Sequence, residues 1–125
     1  MTNQLNRPLM ELIVKAADDR LGQDIVALEV NQLTPLADYF VIVSAKNDRQ
    51  VNAIVDSIAE AVETAGYTVK GIEGKDGHAW VLIDCVDVIV HVFNKEVRSH
   101  YNIEKLWNDA PLVNLTALLE TDDED

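Results

Sequence analysis

A single cysteine, Cys85, excludes an intramolecular disulfide and points to a reducing compartment. No uncharged apolar run approaches the ~18 residues that cross a bilayer. The opening stretch, MTNQLNRPLM, lacks the basic segment and apolar core of a secretory signal. Together these absences lead to the expectation of a cytoplasmic chain with no membrane contact. Basic residues are scarce too: 10 Lys and Arg stand against 22 Asp and Glu, a formal charge of −12. Five of the acids fall in the terminal ETDDED, and without them the body keeps 17 acids against 10 bases, or −7. Such a body repels phosphate, so direct DNA binding is not expected. A basic protein partner is attracted by the same field.

What is present is enough apolar material, 48% of 125 residues, for one domain with its own core. The spacing of Leu9, Ile13, Ala16 and Ala17 predicts a helix over about Arg7 to Leu21, with Asn6 as cap, Pro8 in the first turn and Gly22 as left-handed stop. DIVALEV (24–30) alternates as an edge or half-solvated strand, and DYFVIVS (38–44) reads as a central strand covered on both faces. Val51, Ile54, Val55, Ile58, Val62 and Ala65 predict a second helix from about Asp48 to Ala65, capped by Asn47 and ended by Gly66. YTVKGIEG (67–74) gives a short strand, and NKEVRSHYNIEKLW (94–107) a broken helical segment. The expected fold class is α/β (α+β), with a mixed sheet of about five strands flanked by helices. Residues 1–115 form the domain, and 116–125 are expected to be a disordered acidic tail.

The stretch HAWVLIDCVDVIVHVF (78–93) carries the most unusual pattern. A tight hairpin turned at Cys85-Val86 sets Asp84 opposite Asp87, Leu82 opposite Ile89 and Trp80 opposite His91. Alternation then gives Val81, Ile83, Val88, Val90 and Val92 one apolar face, which belongs under a helix. Trp80, Leu82, Asp84, Asp87, Ile89 and His91 share the other. Val86 strains this turn, because primed turns need positive φ and a β-branched side chain resists it. A type I turn therefore stays open, as does a slip of one residue that moves every side chain to the opposite face. The two aspartates suit hydrogen bonds to turn amides better than catalysis.

No catalytic constellation emerges. GIEGKDG (71–77) lacks the first glycine and the Ser or Thr of a phosphate loop, and a strand follows where a helix should. The three histidines lack zinc-ligand spacing, and Cys85 is most simply a small inert residue at a turn. No cofactor and no metal is expected.

The blocks LTPLADYFVIVSAKNDRQVNAI (33–54), EGKDGHAWVLIDCVDVIVHVF (73–93) and YNIEKLWNDAP (101–111), in this order, resemble the ribosomal silencing factor family, RsfS, also called Iojap. The chain departs from the family pattern at Val86, usually glycine, and at Asn94, often proline. The resemblance implies a nucleotidyltransferase-like fold without its chemistry, since Ser44-Ala45-Lys46 stands where a Gly-Ser pair would be and no D-x-D follows. It implies a non-enzyme that binds the large ribosomal subunit through its fourteenth ribosomal protein. Joining of the small subunit is thereby blocked, and translation is repressed under nutrient limitation. The rival is a nucleotide-binding enzyme that kept the fold, and a homodimer through an exposed strand or hairpin stays open. The expected docking patch has Trp80, His91, Tyr101, Leu106 and Trp107 at its centre and Glu73, Asp84, Asp87 and Glu104 as its acidic rim.

Overall fold

The computed structural model describes residues 5–77 and 79–120. Helix α1 runs Arg7–Asp19, with the Asn6 side chain accepting from the Leu9 amide at 3.3 Å and Pro8 in the first turn, where no amide is needed. It stops short of Leu21. The Gly22 amide donates to the Ala17 carbonyl and the Leu21 amide to Asp18, both at 2.9 Å, which is a Schellman closure. The left-handed residue is therefore Leu21 (φ 63), not Gly22 as expected. Gly22 is needed for space instead: a Cβ there would lie 2.7 Å from Val43 Cγ1.

Strand β1 (Gln23–Glu29) is the edge the alternation predicts, and it pairs antiparallel with β2 (Tyr39–Ala45), which is buried at every position. Helix α2 (Asp48–Thr64) is capped by Asn47, which accepts from the Gln50 amide at 2.8 Å, and it closes at Gly66. Strand β3 (Gly71–Glu73) is shorter than the predicted 67–74, because the Tyr67 amide is spent on closing α2 through the Val62 carbonyl. Strands β4 (Trp80–Asp84) and β5 (Val88–Asn94) follow. The order is β1-β2-β5-β4-β3, with β2 and β5 parallel and the other pairs antiparallel, so the sheet is mixed and five-stranded as expected.

The hairpin register differs from the expectation. Leu82 faces His91, Trp80 faces Phe93 and Asp84 faces Ile89, so each partner has moved two places. The tip is Val86-Asp87: the Cys85 amide donates to the Val88 carbonyl at 2.9 Å, and the Asp87 amide closes onto the Cys85 carbonyl at 2.9 Å. A shift of two keeps every side chain on its predicted face. Val81, Ile83, Val88, Val90 and Val92 accordingly pack with α1 and α2 in the larger core, while Trp80, Ile89 and Phe93 lie in a second core on the opposite face.

Helix α3 (Lys95–Tyr101) and helix α4 (Ile103–Leu106) cover that second face and are interrupted at Asn102 (φ 47), the break the sequence predicts. Asn94, where the related family often has proline, caps α3 by accepting from the Glu96 amide at 3.1 Å. Residues 111–113 then run beside β1, with Glu29 N donating to Pro111 O and Val113 N to Ala27 O, both at 2.9 Å. Thr116–Glu120 form a short helix, α5, which packs on α1 through partly buried Leu118 and Leu119, with Leu115 buried just before it. The tail boundary expected at 116 is therefore too early, and residues 121–125 lie outside the described ones.

Val86 holds φ 73 with a β-branched side chain half exposed to water, a conformation that costs about 1–3 kcal/mol. Val86→Gly should raise stability by about 1 kcal/mol after the entropy lost by glycine, or roughly 3–5 °C in Tm, measured by thermal or urea unfolding. An unchanged or lower midpoint would show that the turn is not strained.

Candidate functional site

The face of the sheet away from α1 and α2 is floored by aromatic rings. Residues 40 on β2, 91 and 93 on β5 and 80 on β4 point the same way because strand side chains alternate. The Trp80 indole stacks on Phe93 (centroids 5.2 Å) and meets Tyr101 from α3 at 4.5 Å. It also reaches diagonally across the hairpin, where its Nε1 donates to His91 Nδ1 at 3.1 Å. Phe40 stands edge-on to both His91 (5.1 Å) and Trp107 (4.9 Å). A continuous line of rings thus runs Tyr101, Trp80, His91, Phe40, Trp107.

The indole can only donate, so His91 must accept at Nδ1 and carry its proton on Nε2. His91 is 5% exposed, and burial pushes its pKa down to about 4, which keeps the ring neutral. Nε2 has no hydrogen-bond partner among the described residues. His91 is therefore part of the floor rather than the surface. Tyr101, at 45% exposure, and the half-buried edges of Trp80 and Leu82 face solvent. Glu73, Gly74, Trp80 and Leu82 line a shallow groove there. Gly74 (φ 87) permits it, because a Cβ at that position would run into the Trp80 carbonyl oxygen.

The remaining residues of the expected patch are divided between two other places. Trp107 is wedged against Phe40, half-buried, and Leu106 beside it is 74% exposed, so one closes the second core and the other is open to contact. Glu104 is held by Arg98, whose Nε and Nη2 donate to its two carboxylate oxygens at 3.2 and 2.9 Å. Asp84 and Asp87 sit at the hairpin tip, four residues or more from Trp80, roughly 13 Å along the strand. Asp84 Oδ1 accepts from the Val86 amide at 2.9 Å, the turn role that the spacing suggests. Asp87 Oδ2 accepts from Asn6 Nδ2 at 3.0 Å, and its carbonyl accepts from the Asp38 amide at 2.7 Å. The two carboxylates neither oppose one another nor edge the aromatic surface. Glu73 edges it beside Trp80, and Glu104 lines a pocket with Trp107 at the other end.

Phe40, Phe93 and Arg98 join the candidate site from outside the expected patch. The two phenylalanines could have been found by carrying the face parity of His91 along β5 and across to β2. Arg98 leaves no comparable signal, because its partners are up to 74 residues away.

Groups that would serve an enzyme are occupied otherwise. Ser44 is buried and its Oγ accepts from Arg98 Nη1 at 2.7 Å. Burial, with the Asp84 charge adding to it, pushes the Cys85 thiol up to about 12, which leaves almost no thiolate at neutral pH. Among the described residues no three His, Cys, Asp or Glu side chains gather as a metal set, and no helix is long and apolar enough to cross a membrane.

A family model described as "Ribosomal silencing factor during starvation" matches residues 3–125. The ribosomal silencing factor RsfS of Bacillus subtilis is 44% identical over 109 residues, covering 87% of this chain and 92% of that protein. A crystal structure of a Chromobacterium violaceum protein superposes with TM-score 0.81 at 34% identity, over 84% of this chain and 88% of that one. More distantly, the mouse protein named "Mitochondrial assembly of ribosomal large subunit protein 1" is 28% identical over 101 residues, 78% of this chain and 44% of its own length.

The buried imidazole gives a pH dependence with a definite sign. Its folded pKa lies below the ordinary 6.5, so the unfolded chain binds the proton more readily, and stability is full above about 6.5 and falls as pH drops towards 4. Between pH 6.5 and 5 the wild type should lose ~2 kcal/mol through this group. His91→Gln should be nearly flat across the same window in urea titrations. Parallel curves for the two proteins would remove His91 as the cause.

Proposed function

The chain belongs to the ribosomal silencing factor family, and on that premise we propose that it docks on the large ribosomal subunit through that subunit's fourteenth ribosomal protein and blocks joining of the small one. The mechanism is obstruction. A 13.9 kDa domain seated where the subunits meet occupies volume that a bridge between them requires. No bond is made or broken, no cofactor takes part, and the chain acts in the cytoplasm to repress translation when nutrients are short.

The observation that carries this reading is the line of rings ending in a half-exposed Tyr101 and an accessible Trp80 edge. Aromatic side chains presented on a rigid floor are the usual anchors of protein interfaces, since they bury much area at little entropic cost. Trp80 is fixed by Phe93 beneath and His91 beside it, so little ordering remains to be done on binding. The acidic body complements a basic ribosomal protein and accelerates encounter, while Glu73 is the carboxylate placed at the anchor itself. Occupation of Ser44 by Arg98 and the use of Asp84 and Asp87 in turn and cap contacts favour a binding role over phosphoryl chemistry.

Tyr101→Ala should keep the fold, because the ring is nearly half exposed, and should weaken sedimentation with purified large subunits by about 30- to 1000-fold. Wild-type protein in excess should slow and reduce the coupling of purified subunits followed by light scattering. Normal coupling in that excess would end the obstruction reading, and normal sedimentation of folded Tyr101→Ala would take Tyr101 out of the contact.

A further inference from the structure

The segment Lys95–Trp107 bears Tyr101, Leu106 and Trp107 of the proposed docking face and Glu104 of its rim, yet apolar burial holds it weakly. No residue of α3 is buried, Ile103 is the one buried residue of α4, and Val97 and Trp107 are half-buried. The helical ladder is interrupted at Asn102, so the two short helices have no continuous backbone reinforcement. Something else must set the angle between them.

Arg98 grips both sides of that interruption. Its carbonyl accepts from the Asn102 amide at 2.9 Å. Beyond the break its guanidinium takes Glu104 with both prongs, at 3.2 and 2.9 Å. The remaining nitrogen, Nη1, donates at 2.7 Å to the Asp24 carbonyl at the start of β1 and at 2.7 Å to Ser44 Oγ at the end of β2. The side chain is only 12% exposed, so these charge-assisted bonds are shielded and their geometry is fixed by the planar fork. One residue therefore ties α3, α4, β1 and β2 at a single point. Asp24 adopts φ 49 beside the bulge in β1, which leaves its carbonyl available to the guanidinium rather than to the ladder.

We propose that Arg98 is a positioning residue that fixes the α3–α4 break so that Tyr101 and Trp107 are presented together in docking geometry. The inference rests on the docking reading above. Removing the fork lowers the fraction of molecules with the helix pair in place, and apparent affinity falls by that fraction.

The test uses the full chain with Arg98→Met, which keeps the length of the stem, together with Arg98→Lys and Glu104→Gln. Amide hydrogen exchange and sedimentation with large subunits are read in parallel. In Arg98→Met, exchange at Asn102, Trp107 and Ala110 should rise about 10- to 100-fold while α2 keeps wild-type protection, and affinity should fall by a similar factor. Arg98→Lys should follow Arg98→Met, since charge without the fork does not restore the grip, and Glu104→Gln should fall between. Faster exchange with unchanged affinity overturns the proposal, as does lost affinity with unchanged exchange, or an equal rise in α2. If the wild type itself fails to sediment, the docking reading falls, and the exchange comparison still decides whether Arg98 holds the helix pair.

Discussion

Side-chain alternation along β4 and β5 divides this molecule into two unlike halves, and the other features follow from that division. Odd positions from Val81 to Ile83 and even positions from Val88 to Val92 form the aliphatic face on which α1 and α2 rest. Among the intervening positions, Trp80, His91 and Phe93 carry rings. The helices on that side, α3 and α4, are short, interrupted at left-handed Asn102 and only partly seated. Burial on both faces drives folding, fully under α1 and α2 on the aliphatic side and partly under α3 and α4 on the aromatic one.

Charge is used in two separate ways. The net −12 acts at a distance, as a field. Individual carboxylates near the sheet are mostly committed to the fold: Asp84 to its turn, Asp87 and Asp38 to Asn6 at the start of α1, Glu104 to Arg98. At the centre of the aromatic face the His91 ring is kept neutral by burial. On the docking reading, such a surface offers a partner shape and apolar area, with attraction supplied from elsewhere on the molecule.

How much of this could be read from the residues depended on whether local signals agreed. For α2, the cap Asn47, the apolar spacing from Val51 to Val62 and the stop Gly66 all concur, and the helix lies within one residue of its predicted span. The hairpin gave conflicting signals. Avoidance of positive φ at Val86 argued against a primed turn there, yet the chain accepts that strain, the tip moves on by one residue, and partners shift by two. Face assignments survived because two is the strand period. The aromatic members Trp80, His91 and Tyr101 were legible as a group because they share a face or follow it closely. The acidic rim was not, because a carboxylate's partner is set by tertiary structure: nothing near Asp87 in the chain announces Asn6, and nothing near Ser44 announces Arg98. The helix at 116–120 was hidden by the acidic run after it, which drew the boundary too early.

The chain has two tryptophans, and both belong to the same surface, one at each side of Phe40 and His91. Its tryptophan emission, excited selectively over that of Tyr39 and Tyr67 in the other core, therefore originates from the aromatic face, with no indole in the aliphatic core to dilute it. An unmodified sample, followed through its tryptophans alone, thus reports optically on changes at the aromatic side and not on those at the aliphatic one.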